Sequence, residues 1–118
     1  MELYEWDAIE KEQLNPLFVR QAIHGRGMTV ARLRLSKGLV VPAHRHENEQ
    51  ITMLERGKLR VLVEGRELLL QAGEALVFEP NEEHSVEALE DSLALDVFSP
   101  PRADWQRGDD AYLRSPSR

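Results

Sequence analysis

Two histidines separated by a single residue, His44 and His46, are the first candidates for chemistry in this chain. Side chains at positions i and i+2 of a β-strand leave the backbone on the same face, so a strand here would aim both imidazoles into the same space. Two neutral imidazoles held side by side make half of a metal site. The spacing alone is weak evidence, because surface strands carry such pairs by chance.

The absence of cysteine restricts the other ligand candidates. Without a thiolate, a metal has to be bound through histidine, carboxylate or amide groups. The chain has four histidines, at positions 24, 44, 46 and 84. His24 lies in the sequence AIHGRG, which predicts a hairpin turn, and we interpret it as a solvated loop residue rather than as a ligand.

A carboxylate inside an apolar strand is the second candidate. In the segment DSLALDVFS, residues 91–99, alternation puts Asp96 on the same face as Phe98 and three aliphatic residues on the other face. Two interpretations remain open. Asp96 could face water or pair with an interior arginine such as Arg32 or Arg34. Alternatively, it is an acid or base beside a metal, where the cation and partial burial would shift its pKa in opposite directions.

Short strands are the elements that would position these residues. Apolar and polar residues alternate in short runs, with turn signals about every ten residues, which is typical of a small antiparallel sandwich or barrel. The predicted strands are 28–36, 50–55, 59–65, 68–71, 72–80 and 91–99. Helix or coil is predicted only for the first 14 residues and for the tail from about residue 104 to 118, whose end, RSPSR, we expect to be frayed.

Composition and charge exclude several classes of protein. The chain has 118 residues and 42% apolar content, which suffices for one core but not for two, so we expect a single domain. A formal net charge of −6 is unlike the basic footprint of a nucleic-acid binder. No apolar run approaches the roughly 20 residues that span a bilayer, and the N-terminus is acidic. We therefore expect neither nucleic acid nor membrane as a partner, and a cytoplasmic location.

A stretch around the histidine pair resembles the first motif of the cupin family. This stretch, residues 38–57, has glycine at both ends and places His44 and His46 before Gln50, where the motif most often has glutamate. The spacing of all five positions follows the motif.

A second stretch, residues 73–84, resembles the second cupin motif. It reads GEALVFEPNEEH and ends on His84, with Glu79 in the proline position and Asn81 in the glycine position of the motif. Both departures are mild, because asparagine tolerates a left-handed backbone better than other non-glycine residues and Pro80 still stiffens the corner.

The resemblance implies a single cupin domain over residues 1–118. Its fold would be all-β, a double-stranded β-helix or jelly-roll barrel with short helical or coil ends. It also implies one metal inside the barrel, bound by His44, His46, Gln50 and His84.

The implied ligand set carries no negative charge. A divalent ion would keep its full charge, favour an anionic oxygen ligand and act as a Lewis acid, whereas a glutamate at position 50 would neutralise one unit. Glu49 could compete with Gln50 if the strand slips by one residue. The sequence does not identify the metal. We expect one divalent transition metal, Zn, Ni, Fe or Mn, and no organic cofactor.

The segment LALDVFSPPRADW, residues 93–105, is similar to the C-terminal segment of the KdgF pectin-degradation proteins. This cupin family acts on the unsaturated monouronates left by pectate and alginate lyases, and its metal set is also three histidines with a glutamine. Its proposed catalytic and substrate-binding residues, an acid, an aromatic and an arginine, fall on Asp96, Phe98 and Arg102.

This resemblance implies the ring opening of a 4,5-unsaturated monouronate to 5-keto-4-deoxyuronate. Asp96 would accept and donate the proton, Arg102 would hold the substrate carboxylate as a bidentate clamp, and Phe98 would form a wall that excludes water. We expect a small anionic sugar acid as substrate. We also expect a homodimer, formed through the outer face of one sheet or through an exchanged N-terminal strand.

Two alternatives remain open. One is a metal-dependent dioxygenase of the cupin type, against which Gln50 counts because such iron enzymes often use a carboxylate ligand. The other is a non-catalytic cupin that binds a small molecule, in which Asp96 and Arg102 would form a structural ion pair.

Overall fold

The chain folds into two antiparallel β-sheets that enclose a common interior, in a computed structural model that describes residues 1–114. The strands are β1 (Glu12–Asn15), β2 (Phe18–His24), β3 (Thr29–Leu35), β4 (Val40–His44), β5 (Glu49–Arg56), β6 (Lys58–Val63), β7 (Arg66–Gln71), β8 (Ala75–Phe78), β9 (His84–Ala88) and β10 (Ser92–Ser99). The six-stranded sheet has the order β1-β2-β3-β10-β5-β8, and the four-stranded sheet has the order β4-β9-β6-β7.

Helices are confined to the two ends of the described chain. A 3₁₀ helix spans Trp6–Ala8, and two short helices follow the last strand, α1 (Ala103–Arg107) and α2 (Ala111–Arg114). The predicted all-β fold with short helical ends is confirmed. Residues 115–118, which include most of the RSPSR end predicted to be frayed, lie outside the described residues. Between residues 1 and 114, no helix combines the length and the apolar character needed to cross a membrane.

Four strands, β1, β2, β4 and β9, were missing from the prediction. The assignment of the first 14 residues to helix or coil is wrong for β1, because Glu12 and Gln13 pair with β2 in an antiparallel ladder. The interpretation of His24 as a solvated loop residue is also wrong. His24 is the last residue of β2, is only partly exposed, and its Nδ1 lies 2.8 Å from Thr29 Oγ1.

One end of the interior is filled with aliphatic side chains. Leu33, Ala94 and Leu54 lie side by side on three adjacent strands of the six-stranded sheet and are all buried. Leu59 and Val61 of β6 are buried from the opposite sheet. Each fully buried leucine or valine stabilises the fold by about 1.5–3 kcal/mol. This aliphatic end is the core that fixes the strands in register.

Gly57 and Asn81 are two of the turn residues that have a left-handed backbone. Gly57, between β5 and β6, has φ +92°, and a Cβ atom there would come within 2.7 Å of the Ser92 Cα atom. Only glycine fits this turn. Asn81, in the turn before β9, has φ +62°, as expected for the residue in the glycine position of the second motif.

The C-terminal segment is fastened across the barrel by polar contacts. Asp110 accepts a hydrogen bond from Arg20 at 2.8 Å, and Arg20 also binds Glu12 through two nitrogens. Asn15 Nδ2 donates to the Leu113 carbonyl at 3.0 Å. Arg20 and Asp110 are both 2% exposed, so removal of either residue would leave the other a buried charge with only its remaining partner, Glu12 for Arg20 or Arg114 for Asp110.

Candidate metal centre and adjoining cavity

Three histidines meet at the end of the barrel opposite the aliphatic core. His44 ends β4 and pairs in register with His84, the first residue of β9. Their ring centroids are 4.4 Å apart, and the His46 ring lies 5.6 Å from His44 and 5.2 Å from His84. One ring nitrogen of each histidine lies within 4.8 Å of the other two. His46 reaches the cluster from the segment after β4. The expectation that a single strand presents both imidazoles is therefore wrong.

Hydrogen bonds to the backbone orient the three imidazoles. Nδ1 lies 2.8 Å from the Pro42 carbonyl in His44, 3.1 Å from the Asn48 carbonyl in His46, and 2.8 Å from the Glu82 carbonyl in His84. Because a carbonyl oxygen only accepts, each Nδ1 carries the proton of the neutral ring. Each Nε2 therefore keeps its lone pair, which is the arrangement that metal-binding histidines use.

Burial keeps these rings neutral. It lowers the pKa of His44 to about 3 and the pKa of His46 to about 4, and it also lowers the pKa of His84. Mutual repulsion between the positively charged forms of the rings acts in the same direction. At neutral pH all three imidazoles are thus available as ligands without prior loss of a proton.

Gln50 points into the barrel next to this cluster and completes the four predicted ligand positions. Its Oε1 lies 3.0 Å from His46 Nε2, while its Nε2 donates to Thr52 Oγ1 at 2.9 Å and to Asp96 Oδ2 at 3.2 Å. Since the His46 proton is on Nδ1, His46 Nε2 and Gln50 Oε1 are both acceptors, and they face each other at 3.0 Å. A cation bound to both would replace this repulsion by attraction, so the residues present fit a metal.

The competing ligand, Glu49, lies on the outer face of the sheet. It is exposed and precedes the inward-facing Gln50 in β5. Strand alternation therefore keeps its carboxylate out of the barrel, and the ladder with β10 pairs Gln50 with Phe98 without a slip.

Asp96 lies at the centre of the six-stranded sheet, with its side chain inside. It is 5% exposed and pairs with Ala31 and Thr52 on the neighbouring strands. Arg32 and Arg34 alternate to the outer face of β3, so the interpretation of Asp96 as a water-facing acid or as their partner is wrong. Its Oδ1 is buried and has no hydrogen-bond partner among residues 1–114. Burial raises the pKa of this carboxyl to about 7.

Arg102 is buried beside the cavity, but the edge of its guanidinium that carries Nε and Nη2 is already hydrogen-bonded. Nε and Nη2 donate to the Asp104 carboxylate at 3.0 and 2.8 Å, and Nη2 also donates to the Tyr112 hydroxyl at 2.9 Å. Among the guanidinium nitrogens, only Nη1 makes none of the described side-chain hydrogen bonds, so the expected bidentate clamp on a substrate is reduced to this one nitrogen. The non-catalytic alternative requires an ion pair between Arg102 and Asp96. The ion pairs of the described residues do not include it, and Arg102 pairs with Asp104 instead.

Phe98 packs between the histidine cluster and Arg102. Its ring centroid is 5.9 Å from that of His46 and 5.0 Å from that of Trp105, and the Arg102 guanidinium lies 4.8 Å from it. The predicted aromatic wall is therefore present beside the site.

Two aromatic residues of the tail were missed by the sequence analysis. Tyr112 stacks on His44 with a centroid distance of 4.8 Å. Trp105 is buried, its ring lies 4.4 Å from the Arg102 guanidinium, and its Nε1 has no hydrogen-bond partner among the described residues. Both lie in a stretch predicted as helix or coil. In such a stretch, the sequence does not indicate which strands an aromatic side chain will pack against.

These side chains surround a cavity of about 60 Å³. Two of the histidines, His44 and His84, form part of its wall. Aliphatic side chains, among them Leu33, Leu59 and Ala94, complete the wall at the side of the aliphatic core. The other polar and aromatic residues that line the cavity are Phe18, Arg20, Gln50, Thr52, Asp96, Phe98, Arg102, Trp105 and Tyr112. Neutral ligands, one carboxyl and two guanidinium groups, those of Arg20 and Arg102, therefore line one small space with a partly aliphatic wall, which suits a small organic anion.

Comparisons with known proteins identify relatives of this chain. Residues 31–99 match the family model described as the cupin domain. The pectin degradation protein KdgF of Dickeya dadantii (strain 3937) is 36% identical over 75 residues, which cover 62% of this chain and 68% of that protein. The structure of KdgF from Halomonas sp. is 30% identical and has a TM-score of 0.82, covering 88% of this chain and 99% of the other. An RmlC-like cupin from Shewanella frigidimarina shares the fold at 23% identity, with a TM-score of 0.83 over 89% of this chain and 96% of its own.

Proposed function

The chain belongs to the cupin family, and from this premise we propose that it opens the ring of 4,5-unsaturated monouronates to give linear 5-keto-4-deoxyuronates. Such sugars are the products of pectate and alginate lyases. The similarity to KdgF of Dickeya dadantii, a pectin degradation protein, and to the Halomonas KdgF structure supports this substrate class. The observation that carries the proposal is Asp96, a buried carboxyl with one unpaired oxygen beside a cluster of neutral ligands.

His44, His46, Gln50 and His84 would hold one divalent transition metal, with Zn, Ni, Fe and Mn as the candidates. When bound, such a cation supplies Lewis-acid stabilisation to the negative oxygen that forms as the sugar ring opens. Because none of the four side chains is charged, a carboxylate-bearing substrate suits this site better than a neutral one.

Asp96 is the residue to which we assign proton transfer. Gln50 Nε2 holds Oδ2, which leaves Oδ1 free to take the proton of the anomeric hydroxyl. As the C1–O5 bond breaks, its electron pair moves to O5, and an aldehyde at C1 and an enolate over O5, C5 and C4 form. Return of the proton to C4 gives the ketone at C5. No atom is gained or lost, so one carboxyl that first accepts and then donates is sufficient.

Three further side chains would position the sugar. Arg102 offers Nη1 to the substrate carboxylate, while Asp104 fixes the guanidinium from its other edge. Trp105 offers its unpaired Nε1–H to a sugar hydroxyl. Phe98 forms an apolar wall that limits the access of water to the reacting atoms.

The decisive experiment uses purified, metal-loaded protein and the products of a pectate or alginate lyase. Loss of the ultraviolet absorbance of the C4–C5 double bond follows the reaction. We expect loss faster than the spontaneous rate, and a decrease in turnover of about 10²- to 10⁴-fold in Asp96→Asn. Glu49→Gln is the matched control, because it removes a carboxylate from the adjacent strand on the outer face, and it should leave the rate unchanged.

Other outcomes point to the alternatives. A wild-type rate equal to the spontaneous rate, with metal bound, would refute the proposal. Oxygen uptake on a thiol or diketone substrate would instead indicate a dioxygenase. Sugar binding without turnover would indicate a non-catalytic binding protein.

A further inference from the structure

Three buried polar atoms that lack a hydrogen-bond partner within residues 1–114 belong to side chains of the cavity wall. They are Arg20 Nη1, Asp96 Oδ1 and Trp105 Nε1. Buried polar atoms without a partner are costly and therefore rare. The proposed reaction uses Asp96 Oδ1 and gives Trp105 Nε1 one sugar hydroxyl, but it leaves Arg20 Nη1 without a role. A buried, unpaired guanidinium nitrogen in a cavity wall is suited to an acceptor on the ligand.

The rest of the Arg20 guanidinium is held by carboxylates. Nε and Nη2 each donate to Glu12 at 3.0 Å, and Nη2 also donates to Asp110 at 2.8 Å. These contacts use three of the five N–H groups of the side chain, and the two that remain are both on Nη1. The carboxylates therefore fix the guanidinium, and Nη1 is left as a rigid donor for the cavity.

Trp105 brings a second donor into contact with Arg20. The Arg20 guanidinium carbon lies 4.3 Å from the centroid of the indole ring, and the Arg102 guanidinium carbon lies 4.4 Å from it. The indole therefore fixes the spacing between the two guanidiniums. The unpaired Nη1 of Arg20 and the unpaired Nε1–H of Trp105 belong to two side chains in direct contact.

Arg20 reaches the cavity from the side of the aliphatic core. In the strand registers Arg20 pairs with Leu33, and Leu33 pairs with Ala94. Gln50 pairs instead with Phe98, four residues further along β10. Four residues of a strand span about 13 Å. The Arg20 backbone and the proposed metal ligands are thus at opposite ends of the space that the cavity occupies.

The charges around Arg20 cancel. Arg20 and Arg114 both donate to Asp110, and Glu12 lies 3.0 Å from Arg20 and 4.0 Å from Arg114. Two positive and two negative groups leave no net charge, whereas a divalent ion among neutral imidazoles would make the histidine end positive. The carboxylate of a sugar acid is therefore attracted to the histidine end, and the Arg20 end suits uncharged oxygens such as hydroxyls.

We propose that Arg20 Nη1 and Trp105 Nε1 form a subsite for the hydroxyls on C2 and C3 of the sugar, an inference that rests on the proposed function. In a pyranose ring the C2–C3 bond lies opposite the bond between C5 and the ring oxygen. When the C5 carboxylate and the ring oxygen face the histidine end, the two hydroxyls face the Arg20 end. Two neighbouring donors then match two acceptors on adjacent carbons. This contact fixes the orientation in which the C1 hydroxyl reaches Asp96.

The first test measures binding without turnover, by calorimetry on the metal-loaded protein. Galacturonate has both hydroxyls but no C4–C5 double bond, and tetrahydropyran-2-carboxylate has the same ring and carboxylate but no hydroxyl. We expect the wild type to bind galacturonate more tightly. Arg20→Lys keeps the positive charge beside Glu12 and Asp110 but has no second nitrogen for the cavity. It should weaken galacturonate binding at least about tenfold and leave tetrahydropyran-2-carboxylate binding unchanged.

A matched variant controls for a general loss of structure. Leu54→Ala truncates a buried side chain on the same row of the sheet as Arg20, outside the cavity wall, and should bind both compounds like the wild type. If Arg20→Lys does not fold, the double variant Arg20→Gln/Glu12→Gln replaces it, because Arg114 still neutralises Asp110 there. Equal wild-type affinity for the two compounds, or an equal loss for both in the folded Arg20 variant, would overturn the proposal.

The second test follows the reaction with the unsaturated monouronate. Arg20→Lys should raise KM at least about tenfold with little change in kcat, because the contact is the same before and during ring opening. If the wild type does not open the ring but the calorimetry gives the expected pattern, the subsite stands and the proposed reaction fails. If the wild type opens the ring and Arg20→Lys equals it in KM and in galacturonate affinity, the reaction stands and the subsite is refuted.

Discussion

The two ends of the barrel interior are built by the same strands but have opposite character. In β10, Ala94 faces a leucine on each side, whereas Asp96, only two residues later, faces Thr52 and neighbours Gln50. In β6 and β9, Val61 pairs with Val86, and the next inward pair is Val63 with His84. The sequence therefore changes from aliphatic to polar within about 7 Å along each strand.

The aliphatic end therefore contributes mainly to the stability of the fold, and the polar end supplies the groups that could do chemistry. Burial of an unpaired carboxyl oxygen and an unpaired indole N–H costs about 1–3 kcal/mol each, and a ligand that binds these groups would offset that cost. The aliphatic end offsets these costs, because its residues have no polar atoms to satisfy. Substitutions at the two ends should accordingly have different consequences.

Truncation in the aliphatic end should have the largest effect on stability. Leu54 is 2% exposed, and Leu54→Ala should lower the free energy of unfolding by about 2–5 kcal/mol through lost burial and a residual cavity. Urea unfolding of the metal-free protein measures this change. Metal stoichiometry of the folded variant should be unchanged, and a loss of metal would show that the two ends are not separable.

Truncation in the polar end should instead affect the metal. His84→Ala removes one of the proposed ligands, and we expect the affinity for a divalent metal to decrease at least about 100-fold, or about 2.7 kcal/mol. Competition with a chromophoric chelator measures the affinity. The same variant should lose less stability in the metal-free state than Leu54→Ala does, and equal metal affinity in His84→Ala and wild type would exclude His84 as a ligand.

The pH dependence of stability should also distinguish the polar end. The pKa values of His44 and His46 are lowered to about 3 and about 4 by burial, against about 6.5 in an unfolded chain. Their contribution to stability is complete above about pH 6.5 and is lost as the pH falls towards about 4, because the unfolded state binds protons first. The raised pKa of Asp96 makes its contribution to stability increase as the pH falls, which is the opposite direction. This single group opposes three histidines, because the pKa of His84 is also lowered.

Urea titrations of chelator-treated protein at several pH values test this expectation. The midpoint should decrease between about pH 6.5 and about pH 4, and the decrease should be smaller in His46→Gln, which cannot be protonated. An identical pH profile in the variant would mean that the His46 ring is not shielded from protonation as the structure indicates.

The smallest effect is expected at the unpaired indole. Trp105→Phe removes the Nε1–H donor but keeps an aromatic ring against Arg20 and Arg102. If the donor binds a sugar hydroxyl, KM should rise about fivefold, or about 1 kcal/mol, with kcat nearly unchanged. Steady-state kinetics on the unsaturated monouronate provide the measurement. An unchanged KM would leave Trp105 with a packing role only.

Strand alternation made much of the fold and of the site predictable. The period of two in β3, β5 and β10 is strong because one face of each strand is buried and the other is not. The same alternation placed Asp96 on the face of Phe98, and only the structure showed that this face is the interior. Motif spacing brought together the four proposed ligands, although their role as ligands stays a prediction.

The parts that could not be predicted depend on contacts between distant segments. Strand β1 is extended because β2 pairs with it, and β4 contains Pro42, which weakens a local strand signal. The Arg102 edge is bound by Asp104 only because α1 turns the chain back after β10. The position of Tyr112 over His44 likewise requires the whole tail to cross the barrel. None of these contacts has a local period or spacing that a sequence could display.

The tail that crosses the barrel also makes the site depend on a residue outside it. Trp105 of α1 and Tyr112 of α2 form part of the cavity wall, whereas Asp110 lies between these helices, does not line the cavity, and binds Arg20 at 2.8 Å. A substitution at Asp110 would therefore loosen two walls of the site without replacing any group that faces a ligand.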